Sequence, residues 1–205
     1  MTINSSLKEY IEREIIPLYL SFDKAHGIDH VEQVISQSLK LSQSFNVNID
    51  MVYTVAAYHD TGLCQGRERH HIVSAEILAA DRTICQYFTD DEIKIMCDAV
   101  EDHRASSKSA PRTIYGRIVA EADRCIDPHT VIRRTIQFGL DHYPTLSKEE
   151  HFARCKNHLQ EKYGENGYLK LWIPESDNAL RLEELRAIIK NEDKLTHIFN
   201  AIFDK

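Results

Sequence analysis

From Ser6 to Phe203 the apolar residues of this chain return every three or four positions, and nowhere does an apolar–polar alternation run long enough for a sheet. Ser6 and Glu9 have capping-box spacing and predict a helix to about Leu20, with Ile11, Ile15 and Leu18 on one face and Pro17 kinking or ending it. Gly27 signals a turn, and Asp29 with Glu32 predicts the cap of a second helix running to about Phe45. On that helix Val34, Leu41 and Phe45 share the side of His30, which therefore points inward. Asp50 is expected to cap the next helix, apolar from Met51 to Tyr58, and a loop follows from Thr61 to Glu68. His70-His71 opens a helix to about Tyr87 with Val73, Ile77 and Ala80 as its stripe.

The second half of the chain continues the same pattern. Thr89 and Glu92 box a helix through Ile93, Met96 and Val100 to the stretch Glu101-Asp102-His103-Arg104. A Ser/Lys-rich irregular segment, Ala105 to Pro111, precedes a helix from Thr113 to about Cys125 that presents Ile114, Ile118 and Ala122. Asp127-Pro128 reads as a cap followed by proline at the first helical position, for a helix ending near Tyr143. Ser147 and Glu150 box the next, which reaches Gly164. A link with Trp172 then leads to helical stretches at about 177–189 and 192–203. The chain is expected to be all-α, a single domain over 1–205 with no internal repeat.

Composition narrows this modestly. The 205 residues fit one large domain, and with 7 Gly and 5 Pro a turn-rich β-sandwich is disfavoured. A net charge of -7 argues against a broad nucleic-acid footprint. No apolar run approaches the ~18 residues of a membrane span, and Met1 to Lys8 lacks a basic-then-apolar leader, so neither membrane nor cleaved signal is expected. Cys64, Cys85, Cys97, Cys125 and Cys155 are scattered singly without a Cys-x-x-Cys pair, the usage of reduced thiols in a cytoplasm.

Candidate chemistry gathers where the apolar helix from Met51 arrives at His59-Asp60 and Gly62 breaks it. A helix C-terminus carries partial negative charge and unpaired carbonyls, so a cation is favoured there. The dipeptide alone carries little information, but His30 and Asp123 also stand beside apolar faces of separate helices. Inward polar groups need partners, and one divalent ion satisfies all four side chains. Imidazole and carboxylate donors without thiolate suit Mn, Fe, Co, Ni, Zn or Mg.

In this order of residues the chain resembles the HD-domain metal-dependent phosphohydrolase superfamily, an all-helical family named for a His…His-Asp…Asp signature. The matching stretches are His26-Gly27-Ile28-Asp29-His30-Val31, the pair His59-Asp60, and Ile118-Val119-Ala120-Glu121-Ala122-Asp123. The resemblance covers about residues 22–127, leaving about 128–205 as a C-terminal helical extension on an HD-type helical bundle. It implies His30, His59, Asp60 and Asp123 as ligands of a divalent metal, with His26 orienting a ligand through a hydrogen bond. Some branches add two histidines between the pair and the last Asp and hold a second metal. His70, His71 and His103 lie in that interval, so one or two ions are expected, with Asp60 bridging in the second case and only one of His70 and His71 reaching the centre. Asp60, His70 and His103 are then the residues at the reacting atoms. Two branches are set aside: Leu63 stands where the nucleoside monophosphate phosphatases carry a Glu, and the Gly-Tyr-Pro extension of the cyclic-dinucleotide phosphodiesterases is missing.

The resemblance implies an enzyme that hydrolyses a small phosphorylated substrate, a nucleotide in the leading reading, at a phosphomonoester or phosphoanhydride bond. A divalent metal lowers the pKa of its water to near neutrality and polarises a phosphoryl oxygen, and phosphoryl transfer otherwise needs charge neutralisation and positioning. Arg67, Arg104 and Lys108, with Arg112 beyond them, lie in the flanking loops as candidates to hold phosphate oxygens. Two other classes stay open: a di-iron oxygenase on the same fold, and a non-catalytic sensor that binds a nucleotide at a metal centre. His129, His142, His151, His158 and His197 read as packing or surface residues.

Overall fold

The computed structural model describes residues 2–23, 26–105, 107, 109–124 and 126–204. Among them there are ten α-helices and no strand, so the protein is all-α. The backbone divides into two compact units, Met1–Arg124 and Cys125–Lys205. The sequence pattern alone offers one domain with an extension from about residue 128, and the division falls close to that position. No helix of the described residues is long and apolar enough to cross a membrane.

The first unit is built around a buried helix. Helices α1 (Ser5–Tyr10), α2 (Ile28–Ser42), α3 (Ile49–Tyr58), α4 (His70–Ala80), α5 (Asp90–Asp102) and α6 (Ile114–Asp123) make it up. From Met51 to Tyr58 every residue of α3 is buried, as expected of a helix that is apolar all round. Thr54, its one hydroxyl side chain short of a tyrosine, is satisfied by donating to the Asp50 carbonyl at 2.8 Å. Helices α2, α4, α5 and α6 all pack on α3. The chain leaving Tyr58 therefore emerges in the interior, and the two residues it delivers there are His59 and Asp60.

Several element boundaries depart from the sequence pattern, each for a local reason. The N-terminal helix is capped by Asn4, whose side chain accepts from the Ser6 and Leu7 N–H groups, so the Ser6–Glu9 box does not form. The chain then winds into a wide π turn, Ile11–Ile15, and a 3-10 helix, Ile16–Ser21. Pro17 has no N–H to donate, which breaks regular α winding there. The break changes which residue faces inward: Tyr19 is fully buried and Leu18 is 42% exposed. Helix α2 starts after an extended Gly27 rather than at Asp29. Asn48 caps α3, and the Asp50 carboxylate instead takes the Asn4 N–H at 2.8 Å. Helix α4 stops at Ala80 rather than near Tyr87 because Asp81 folds the chain back, accepting the Thr83 and Ile84 N–H groups at 2.9 and 3.1 Å.

The second unit holds α7 (Pro128–His142), α8 (Lys148–Tyr163), α9 (Asp177–Lys190) and α10 (Glu192–Phe203). Its starts follow the expected local chemistry: Asp127 caps α7 with proline in the first turn, and Ser147 and Glu150 form a complete capping box on α8. Ile132, Ile136, Leu159, Leu185 and Phe199 fill its interior.

Candidate metal centre

The end of α3 delivers His59 as its C-cap and Asp60 directly after it. His59 is fully buried and Asp60 is 4% exposed. Around them stand His30 from the first turn of α2, Asp123 from the last turn of α6, His70 from the first position of α4, and His103 at the end of α5. Five of the six helices of the unit thus contribute to one point.

Three of these imidazoles are fixed in the same way. Nδ1 of His59 lies 2.8 Å from the Ala56 carbonyl, Nδ1 of His70 lies 2.8 Å from the Arg67 carbonyl, and Nδ1 of His103 lies 2.6 Å from the Val100 carbonyl. A carbonyl only accepts, so each Nδ1 carries its proton, and the neutral ring presents a bare Nε2 lone pair. In each case the acceptor is the carbonyl three residues upstream, for His59 and His103 one of the orphan carbonyls of a final helical turn.

The Nε2 atoms converge in two groups that share one carboxylate. Oδ2 of Asp60 lies 3.4 Å from Nε2 of His59 and 3.6 Å from Nε2 of His30. Oδ1 of the same residue lies 3.4 Å from Nε2 of His70 and 3.4 Å from Nε2 of His103. Asp123 closes on the first group, its Oδ1 3.3 Å from His30 and 4.0 Å from His59. Within the groups the two Nε2 atoms are 3.2 Å apart for His30 and His59 and 3.3 Å apart for His70 and His103. In the His70–His103 pair both facing nitrogens are lone pairs, which repel at that separation and which a positive charge between them reconciles.

Electrostatics report the same demand. Burial opposes ionisation of Asp60, but His59, His103 and His30 outweigh it and hold the carboxyl far below the usual range. Desolvation also opposes ionisation of the half-buried Asp123, but it is held low, chiefly by His30. Burial disfavours charge on His30, yet its hydrogen bonds to Asp123 and Asp60 push it up to about 9, and His103 is raised by Asp60 against its own burial. His70 goes the other way, down to about 4, through burial and the neighbouring His103. The donor set of imidazoles and ionised carboxylates fits a divalent metal. Cys64, the cysteine nearest in sequence, is exposed and lies in neither group.

Residues 27–126 match the family model described as the HD domain. The chain belongs to the HD-domain superfamily. No curated protein and no solved structure matches it. HD domains are in general metal-dependent hydrolases, and the matched segment contains His30, His59, Asp60, His70, His103 and Asp123, every residue of the two groups.

The remaining sequence-derived positions separate. His71 belongs to neither group. Its ring stacks edge-on to His70 at 5.5 Å and borders a cavity of about 610 Å³, together with Ile72, Glu101, Asp102 and Arg104. His26 is held by Asp23, Nδ1 to Oδ1 at 2.8 Å, and its ring meets that of His30 at 5.7 Å. Arg67 contributes its backbone carbonyl to His70 while its side chain is exposed. Arg104 donates from Nη1 to the Glu68 carbonyl at 2.7 Å, and no carboxylate of the described residues lies within 4.0 Å of it. Arg112 is not available to phosphate: Asp98, Glu101 and Asp102 hold its guanidinium at 2.6 to 3.1 Å. Lys108 and Cys125 lie outside the described residues.

Two residues of the first unit escape a reading of the sequence. The buried hydroxyl of Tyr19 accepts the Asp60 N–H at 3.2 Å and donates to the Ala57 carbonyl at 2.9 Å, bracing the turn that carries the shared carboxylate. Ser74 accepts the Gly62 N–H at 2.8 Å. Both act through main-chain groups, for which a sequence gives no signal.

Proposed function

We propose that this HD domain hydrolyses a phosphate bond of a small phosphorylated molecule, with a nucleotide as the leading substrate class. The observation that carries the reading is the division of Asp60, each of whose carboxylate oxygens faces its own pair of imidazoles. His30, His59, Asp60 and Asp123 would hold one divalent ion, and Asp60, His70 and His103 a second. Such ions supply an acidified water and withdraw charge from a phosphoryl oxygen. The chain's own residues do the rest. The carbonyls of Ala56, Arg67 and Val100 keep three Nε2 atoms aimed inward, so little reorganisation accompanies binding. Arg104, half-buried and with no carboxylate partner among the described residues, is the candidate for holding a phosphate oxygen. The cavity beside it, of about 610 Å³, is of a size that accommodates the organic part of a small ligand.

The test is metal analysis of the purified protein together with phosphate and pyrophosphate release from a nucleotide panel. His59→Ala and Asp60→Ala are expected to lose both bound metal and turnover. Activity that survives these substitutions refutes the assignment. Iron with redox activity and no phosphate release supports the oxygenase alternative, and metal and nucleotide binding without turnover supports a sensor.

A further inference from the structure

The two ligand groups are not anchored alike. His30 and Asp123 sit within turns of α2 and α6, helices of 15 and 10 residues that pack on each other and on α3. His70 is the first residue of α4, a helix start without a side-chain cap. It is preceded by the exposed stretch 64–69, in which Gly66 has φ +100°.

Within the packing of this helix on the chain after Asp60, one buried side-chain hydrogen bond ties the two together. The Gly62 N–H donates to Oγ of Ser74 at 2.8 Å, and Ser74 is fully buried. Ser74 lies four residues after His70 and so on the same face of α4. Gly62 presses against that face closely enough that a Cβ there would stand 2.1 Å from the His70 carbonyl oxygen and 2.6 Å from the Ser74 nitrogen. The hydroxyl therefore holds the turn carrying Asp60 against the turn carrying His70.

We propose that Ser74 is a positioning residue for the second ion alone. It keeps Nε2 of His70 in register with Oδ1 of Asp60, now 3.4 Å apart, and its hydrogen bond goes to Gly62 rather than to His30, His59 or Asp123. The inference rests on the two-ion reading of the centre. Outer residues that orient a metal ligand typically set affinity by ~10–100-fold. An effect of that size is expected on one site and not on the other.

The experiment is a Mn²⁺ titration of chelator-treated full-length protein, followed by calorimetry and by the spin-resonance signal of free Mn²⁺. Wild type should take two ions and His70→Ala one. Ser74→Ala should keep the first ion within about twofold and bind the second ~10–100-fold more weakly. Unchanged affinity for both ions overturns the proposal. So does equal weakening of both, which is what a general packing role would give. A wild type that binds fewer than two ions removes the two-ion reading itself, a different failure from either of these. If Ser74→Ala does not fold, Ser74→Cys carries the same comparison, because a thiol fills similar space and accepts poorly. It should weaken the second ion, and wild-type affinity for that ion overturns the proposal.

Discussion

A buried histidine occurs in both units of this protein, and the two cases differ in every respect that matters for chemistry. His59 in the first unit has one ring nitrogen pinned to a carbonyl and the other facing ionised carboxylates and a second imidazole. His151 in the second unit is 3% exposed, packs against the Phe203 ring at 5.5 Å, and has an Nδ1 with no hydrogen-bond partner among the described residues. Burial alone therefore does not mark a site. A tautomer fixed from behind and a carboxylate shared in front do.

The sharpest way to strain this contrast is at the glycines. Gly62→Ala would force a Cβ into the backbone of α4, and atoms of a helix backbone cannot step aside. A loss of about 3 kcal/mol or more in urea denaturation is expected, with the second-ion site disrupted. For Gly139→Ala in α7 the three atoms nearest the new Cβ belong to the guanidinium of Arg154, the far end of a flexible side chain, and the helix gains propensity. A change within about 1 kcal/mol is expected there. Equal penalties at the two positions would break the comparison.

A second test separates a structural carboxylate from a ligating one within the same unit. Asp81 accepts the hydroxyls of Tyr10 and Tyr58 at 2.7 and 2.6 Å, besides two N–H groups. Burial opposes its ionisation, but these donors outweigh it and hold the carboxyl below its ordinary 3.8. The stability it contributes is therefore fully present above that ordinary value and is lost as pH falls through the lower folded one. Asp81→Asn should cost about 1–3 kcal/mol at pH 7 and leave metal content unchanged. Denaturation repeated toward pH 2 should show the gap between variant and wild type closing. A gap that widens in acid refutes the account.

The smallest effect belongs to His151→Leu. Exchanging a buried imidazole whose Nδ1 has no hydrogen-bond partner among the described residues for a hydrocarbon of similar size should shift stability by no more than about 1 kcal/mol, in either direction. Metal binding should not move. A drop in bound metal would refute the reading of His151 as a packing residue.

How much of the structure is legible in the sequence depends on distance along the chain. The caps at Thr89, Asp127 and Ser147 are legible because donor and acceptor are three residues apart. Those expected at Ser6, Asp29 and Asp50 fail because Asn4, Gly27 and Asn48 stand two residues earlier and take the position, after which Asp50 is drawn to an N–H 46 residues away. The convergence of His30, His59, Asp60 and Asp123 follows from their places on apolar faces. The choice of His70 over His71 does not, since the phase of a first helical turn is set by the chain that enters it. Tyr19 is hidden by the π turn that rotates it inward in place of Leu18.

The carbonyl anchors have an evolutionary consequence. Ala56, Arg67 and Val100 orient the three rings with main-chain oxygen, which every amino acid possesses. Mutation at those three codons cannot delete the anchor. Packing still constrains Ala56 and Val100, whereas Arg67 is open to solvent and can drift widely while the imidazole it steadies keeps its aim.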